Sequence, residues 1–308
     1  MEKITRKRLS VVSDQAKNTH KYLSQELDIQ WMGLPILICF FTSGLIDSVA
    51  FNSWNCFVGM QTGNTIFAAL GLSGQPDASH KQQYYKSLVS IGSFCLGTLF
   101  FSALHRFPTS FHQQPSSRRR WVFSASFALQ AMFITISAIL VTLNLVSDLP
   151  YISGVFSSGS DRTEYTESSM LENRNFLDLC PIALLAFGAA GQVTLSRTLG
   201  IIELPTIVLS TLYHDFTADL YNLRRCWCES TSITDFFFNQ QRRQEKRLFS
   251  IIALFVGGIV GGEMYKSSVG MAGALWLAAG LKLSVSLMWL FWKKDPSEEE
   301  DDESTLPQ

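Results

Sequence analysis

Apolar positions along the chain gather into eight runs separated by polar stretches: Trp31–Phe51, Phe57–Leu72, Lys86–Leu104, Trp121–Val146, Leu179–Leu199, Leu204–Tyr221, Leu248–Tyr265 and Val269–Trp292. The hydrocarbon core of a bilayer is about 30 Å thick and takes about 20 predominantly apolar residues as a helix. Runs one, three, four, five, seven and eight reach that length almost free of charge, and so many runs of this kind do not fit one soluble core. The second and sixth are short and polar, carrying Gln61, Thr62, Asn64 and Thr65 in one and Ser210, Thr211, His214 and Asp215 in the other. The pattern predicts an all-α integral membrane protein, a polytopic helical bundle with six full spans plus two short or broken segments. It has eight spans if both short segments cross.

Charge between the runs bears on that choice. Cytoplasmic loops of membrane proteins are enriched in Lys and Arg. Residues 1–30 carry six such residues, loop 105–120 four with no acid, and loop 222–247 six. Loop 147–178 is acidic instead, with six acids against two arginines. If all eight runs cross, loop 105–120 falls opposite the N-terminus. If runs two and six re-enter, every strongly basic stretch shares one side, with both termini cytoplasmic. Trp31, Trp121, Trp289 and Trp292 near run ends fit the interfacial preference of indole rings. Residues 1–30 have no signal-peptide core, so the first run reads as a retained anchor.

An internal repeat is also expected. Lys86, Leu88, Ser90, Ile91 and Gly97 recur as Lys246, Leu248, Ser250, Ile251 and Gly257 at a constant offset of 160. Residues 31–146 and 179–292 are then two membrane repeats, the second interrupted by basic loop 222–247. With three full spans each they have opposite orientation, a pattern in which paired interrupted segments point to a binding site. Residues 1–30 and 293–308 read as solvated basic and acidic tails, and disordered.

Composition narrows the chemistry. Apolar residues make up 47% of the chain and charged residues only 17%, and the clustering of the apolar residues into long runs speaks against an ordinary soluble enzyme. Of six cysteines, Cys39, Cys56, Cys95 and Cys180 lie in or beside apolar runs and read as small hydrophobes. Cys226 and Cys228 form a C-x-C without partner ligands, so no metal site is expected. There is no catalytic or nucleotide-binding signature, so neither enzyme nor ATP-driven pump is expected, no cofactor is implied, and nucleic acid is not an expected partner.

Asp47 is the outstanding polar residue of a long run. A carboxylate in hydrocarbon costs about 2.5–3.5 kcal/mol on insertion scales, so it serves either as a proton or cation site or as a structural hydrogen-bond partner near the far interface. Gln61, Thr62, Asn64 and Thr65 form the densest polar cluster, around Gly63, and read as ligand groups or as helix–helix hydrogen bonds. Gln192, Ser210 and Thr211 are their second-half counterparts. His214 and Asp215, with Asp219, flank a possible proton path or form the cytoplasmic cap of segment six. Gly257, Gly258, Gly261 and Gly262 make a doubled G-x-x-x-G, with Gly97 a weaker version. Small residues at this spacing let helices approach closely, either packing the halves together or joining two copies in a homo-oligomer.

Two stretches resemble the YoaK-like family of uncharacterised membrane proteins. Ser43–Phe51 followed by Met60–Thr65 is similar to that family's G-x-x-D-A and M-T-G-N-T. Ala186–Gln192, Arg197–Gly200 and Pro205–Leu212 are similar to its second-half motifs, more loosely. Val193 stands where the family has Asn, and Ser210 where it has Gly. The acidic and basic loops look like additions to a compact bacterial plan and suggest a eukaryotic, fungal member. The resemblance implies a multi-pass membrane protein and supplies no substrate. The functional expectation is a small-solute or ion transporter with its site between segments one, two, five and six. The alternative is a membrane scaffold or assembly protein.

Overall fold

The computed structural model describes residue 15 and residues 17–28, 33–73, 84–106, 119–146, 176–198, 209–219 and 242–294. Among them the chain forms helices α1 (Gly33–Trp54), α2 (Gln61–Leu72), α3 (Tyr84–Arg106), α4 (Arg120–Thr142), α5 (Leu179–Thr198), α6 (Leu209–Ala218), α7 (Arg242–Lys266) and α8 (Gly270–Leu290), with a 3-10 turn at Phe176–Asp178. Six of them, α1, α3, α4, α5, α7 and α8, are long and apolar enough to cross a bilayer. At 1.5 Å per residue, the 12 residues of α2 and the 10 of α6 span about 18 and 15 Å, too short to cross. The chain is a multi-pass helical membrane protein.

Contacts along the helices fix their directions. A Cβ on Gly257 would strike the carbonyl oxygen of Phe41, and one on Gly261 the carbonyl oxygen of Leu45 and Ser48 Oγ, so α7 runs parallel to α1. Gly97 meets Phe187 and Ala190, and Gly191 meets Phe101, so α3 and α5 are also parallel. Lys282 reaches Gln130, Ser286 reaches Ser124, and Trp276 reaches Thr142, so α4 and α8 are antiparallel. Gly188 approaches Phe133 while Gly191 approaches Gln130, which makes α4 and α5 antiparallel as well. The ring of His105, in the last turn of α3, lies 5.5 Å from that of Phe123 in the first turn of α4. Helices α1, α4 and α7 therefore point one way, and α3, α5 and α8 the other.

The segment before α1 is not the free tail expected for residues 1–30. Residues 17–23 are helical, and residues 26 and 27 form bridges to Arg119 and Lys294. Arg120, 2% exposed, donates to Tyr22 Oη at 2.7 Å, to the Leu290 carbonyl at 2.7 Å and to Gln25 Oε1 at 3.2 Å. Its guanidinium also lies 4.0 Å from the Tyr22 ring centroid. A planar fork with several donors suits this three-way junction. The junction puts the entry to α1, the entry to α4 and the exit of α8 at one end of the bundle. Residues 1–14, 147–175, 222–241 and 295–308, which hold most of the expected tails and loops and the Cys226–Cys228 pair, lie outside the described residues. The acidic loop ends earlier than expected, because Asp178 is buried in the 3-10 turn and paired with Lys86 Nζ at 3.2 Å.

Two apolar clusters fill the bundle. One holds Leu45, Val49, Trp54, Ile134, Ala138, Leu185, Leu275 and Ala278. The other holds Ile36, Phe40, Phe123, Phe127, Leu195, Val285 and Trp289. Between their levels, on α1, α4, α5 and α8, lie Thr42, Ser43, Gln130, Gln192 and Lys282, and this polar layer positions the site.

Candidate functional site

The break between α1 and α2 builds one wall. Asn55, at a φ of 52°, ends α1 in the left-handed conformation, and its amide closes on the Phe51 carbonyl at 2.9 Å. Asn tolerates that conformation better than most residues. The chain then turns back along α1. The amides of Val58 and Gly59 both donate to Asp47 Oδ1 at 2.8 Å. Asp47 lies seven residues before Trp54, so the linker dips about 10 Å below the end of α1. Helix α2 then climbs back, with Phe57, Phe67 and Phe51 stacked at 4.8–6.0 Å. Segment two is re-entrant. Non-helical backbone at membrane depth must find internal partners, and the Asp47 carboxylate supplies them.

Asn64 closes the same loop from the other side. Its Nδ2 donates to the Phe57 carbonyl at 2.6 Å, to Gln61 Oε1 at 2.9 Å and to Ser90 Oγ at 3.0 Å. Its Oδ1 accepts from the Phe57 amide at 3.0 Å. Gln61 Nε2 donates to the Val58 carbonyl at 2.9 Å. Asn64 and Gln61 thus satisfy the freed backbone and tie it to α3 through Ser90. Both are spent on this knot and do not line the cavity. Thr62 and Thr65 face outward, with Thr65 bonded back to the Gln61 carbonyl at 2.8 Å. Gly63 leaves room for the Phe57 ring, 2.9 Å from where a Cβ would sit.

The other wall centres on a residue that sequence reasoning missed. Lys282 is 4% exposed, about two-thirds of the way along α8. Its ammonium donates to Gln192 Oε1 at 2.5 Å and Gln130 Oε1 at 2.9 Å, and approaches Cys39 Sγ at 3.8 Å. It also lies 5.1 Å from the Phe127 ring centroid, within reach of a cation–π attraction. Gln192 Nε2 donates in turn to Ser43 Oγ at 3.0 Å. One signal was available, since Lys282 is the single charged residue of Gly270–Leu290. Its partners were not legible, because they come from three other helices.

A cavity of about 30 Å³ opens between these walls, lined by Ser43, Asp47, Gly59, Gln130, Gln192 and Lys282 among others. That is room for one or a few water molecules. The expected site between segments one, two, five and six is thereby corrected. Among the described residues the cavity is lined by α1, α4, α5 and α8 and by the linker of segment two, and none of α6 reaches it. Of the expected binding residues it gathers Asp47 and Gln192. Ser210 and Thr211 lie on the outer face of α6. His214 is exposed, and Asp215 and Asp219 hold Arg247 of α7 at 3.6 and 2.5 Å. These acids clasp two helix ends rather than border the cavity. Among the described residues no cluster of His, Cys, Asp or Glu suits a metal ion.

The glycines divide as their contacts dictate. A Cβ on Gly97, Gly257 or Gly261 would strike backbone of a neighbouring helix, one on Gly258 would come no nearer than 4.0 Å to the Gly44 carbonyl, and one on Gly262 would meet open space.

Neither a curated protein nor a solved structure matches the chain. A family model described as a protein of unknown function (DUF1275) matches residues 36–288. That span takes in both motif stretches, the re-entrant linker and Lys282, and it bears out the resemblance read from Ser43–Phe51 and Met60–Thr65. The chain belongs to the DUF1275 family of multi-pass membrane proteins of unknown function.

Proposed function

We propose that this protein transports a small solute or ion through the cavity bounded by α1, α4, α5 and α8. The observation that carries the reading is a buried carboxylate, Asp47, and a buried amine, Lys282, on the walls of one small cavity inside the bundle. Ionisable groups inside a membrane are expensive and mark solute or proton pathways more than they stabilise a fold.

Helix directions that fit an inverted repeat support the reading. Helices α1, α3 and α4 alternate in direction, and α5, α7 and α8 alternate in the opposite sense. Exchanging the halves maps the α1–α7 packing onto α5–α3, the α4–α5 packing onto α8–α1, and the α4–α8 packing onto itself. Gly97 and Gly257, matched at the offset of 160, both face a phenylalanine carbonyl oxygen, that of Phe187 and that of Phe41. Transporters of this architecture hold substrate near the midplane, beside discontinuous helices, at the seam of the repeats. Aligning Phe41 with Phe187 sets Asp47 against Val193, which has no polar atom to hold a linker. The halves are thus unequal, since only the first carries a carboxylate at this position. The end of the bundle carrying Arg119, Arg120, Lys293 and Lys294 is the cytoplasmic side by the positive-inside bias.

The test is solute flux in proteoliposomes across a panel of ions and small metabolites, with wild type, Asp47→Asn and Gln192→Leu. Transport of one class, lost in Gln192→Leu while the protein still purifies folded, supports the reading. If no solute moves and all three proteins are equally stable with every panel member, the scaffold alternative takes its place.

A further inference from the structure

We infer that the ligand of this cavity is a small monovalent anion, of chloride to formate size, seated against the Lys282 ammonium. The inference rests on the transport reading and adds the sign and size of the solute. The two charges on the cavity walls are not equivalent. Asp47 Oδ1 is engaged by two backbone amides at 2.8 Å, so its charge is balanced by fixed dipoles and used to hold the linker. Lys282 has no such balance. Its near neighbours are two neutral amide oxygens, a thiol and an aromatic face. No acidic side chain among the described residues forms an ion pair with it.

An ammonium in a low-dielectric layer, solvated only by neutral dipoles, attracts any anion that can reach it far more strongly than it would in water. Dehydration cost rises with the square of an anion's charge while its attraction to one ammonium rises only linearly, so a singly charged anion is favoured. The amides set the geometry. Gln130 and Gln192 both turn their oxygens to Lys282, and the Gln192 amide nitrogen faces Ser43 at the cavity wall. An anion entering beside Lys282 displaces one amide oxygen, and a rotation of that Gln presents its NH₂ group to the newcomer. The cavity has room for one or a few water molecules, and a monatomic or few-atom anion matches that size better than gluconate or a dicarboxylate does.

The experiment compares thermal stability of the purified full chain in gluconate buffer with and without chloride, nitrate or formate, alongside flux of the same anions in proteoliposomes. Wild type is expected to show a saturable rise in Tm with a small anion and none with gluconate. Lys282→Met, which keeps length and apolar character, is expected to fold with equal or higher basal Tm. It is also expected to lose the anion shift, with affinity down by about tenfold or more. Lys282→Arg, which keeps the charge, is expected to retain part of the shift, separating charge from packing. A cation or neutral solute that shifts wild type through Asp47 or Gln192, with no anion effect, overturns the anion assignment and leaves the transport reading standing. No shift or flux with any class overturns both.

Discussion

Four glycines in one helix carry a prediction with its own internal controls. Substituting alanine at Gly257 places a Cβ against the Phe41 carbonyl oxygen and 2.9 Å from its carbon. At Gly261 it meets Ser48 Oγ and stands 2.7 Å from the Leu45 carbonyl oxygen. Both obstacles include backbone of α1, which cannot swing aside as a side chain can, so α7 must move away along its main packing line. Overpacking of this kind costs about 1–3 kcal/mol. A Cβ on Gly258 would have its nearest neighbour at 4.0 Å, and one on Gly262 none within that distance. Alanine there reduces backbone freedom without a clash and stabilises by about 0.4–1 kcal/mol. The two classes should differ by about 2–3 kcal/mol, several degrees in Tm. Four single variants, purified in mild detergent and unfolded thermally, give the answer. Gly257→Ala and Gly261→Ala should fall below wild type, and Gly258→Ala and Gly262→Ala should match or exceed it. Equal behaviour of all four, or destabilisation confined to Gly258 and Gly262, refutes the assignment of the close face to α1.

Three further outcomes follow from the geometry. Asp47→Ala strands two buried amides at about 1–3 kcal/mol each; it should lower Tm well below Asp47→Asn and expose Cys56, measured by maleimide labelling. Removing one partner of the buried Lys86–Asp178 pair, in Lys86→Met or Asp178→Leu, should cost about 3–5 kcal/mol. The double variant should recover most of it, a difference read from a double-mutant cycle in thermal unfolding. Arg120→Lys keeps the charge but loses the fork that joins Tyr22, Gln25 and Leu290; trypsin should cut within residues 17–28 sooner, with little change at the cavity.

Much of the architecture is a matter of one-dimensional chemistry. Twenty apolar residues in a row fit a bilayer wherever they occur, so the six spans and the two short segments are visible without coordinates. Loop charge put residues 1–30 and loop 105–120 on one side if runs two and six re-enter, and Gln25 and Glu26 meet Arg120 and Arg119 at one end of the bundle. Asp47 stood out because a carboxylate in an apolar run needs a partner, and Gln192 because of the family-like motif around it. What those residues touch was a different matter. Asn64 and Gln61 read as ligand groups because polar residues in a short run have the same composition whether they serve a solute or the chain's own freed backbone. Only the Phe57 and Val58 positions in space decide between the two. His214 and Asp215 read as a proton path for the same reason, until Arg247 was seen to occupy the acids.

The sequence by itself determined the six long spans, the presence of two short polar segments and a costly intramembrane carboxylate, because hydropathy, length and charge act locally along the chain; that segment two re-enters took the fold of the linker onto Asp47 to decide. Only the tertiary structure decided which polar groups meet. Lys282, Gln130, Gln192 and Ser43 come from four helices far apart in sequence, and each looks ordinary alone. Helix directions and backbone approaches through Gly97, Gly257 and Gly261 bring them to one depth, where amide oxygens from two helices close around the Lys282 amine.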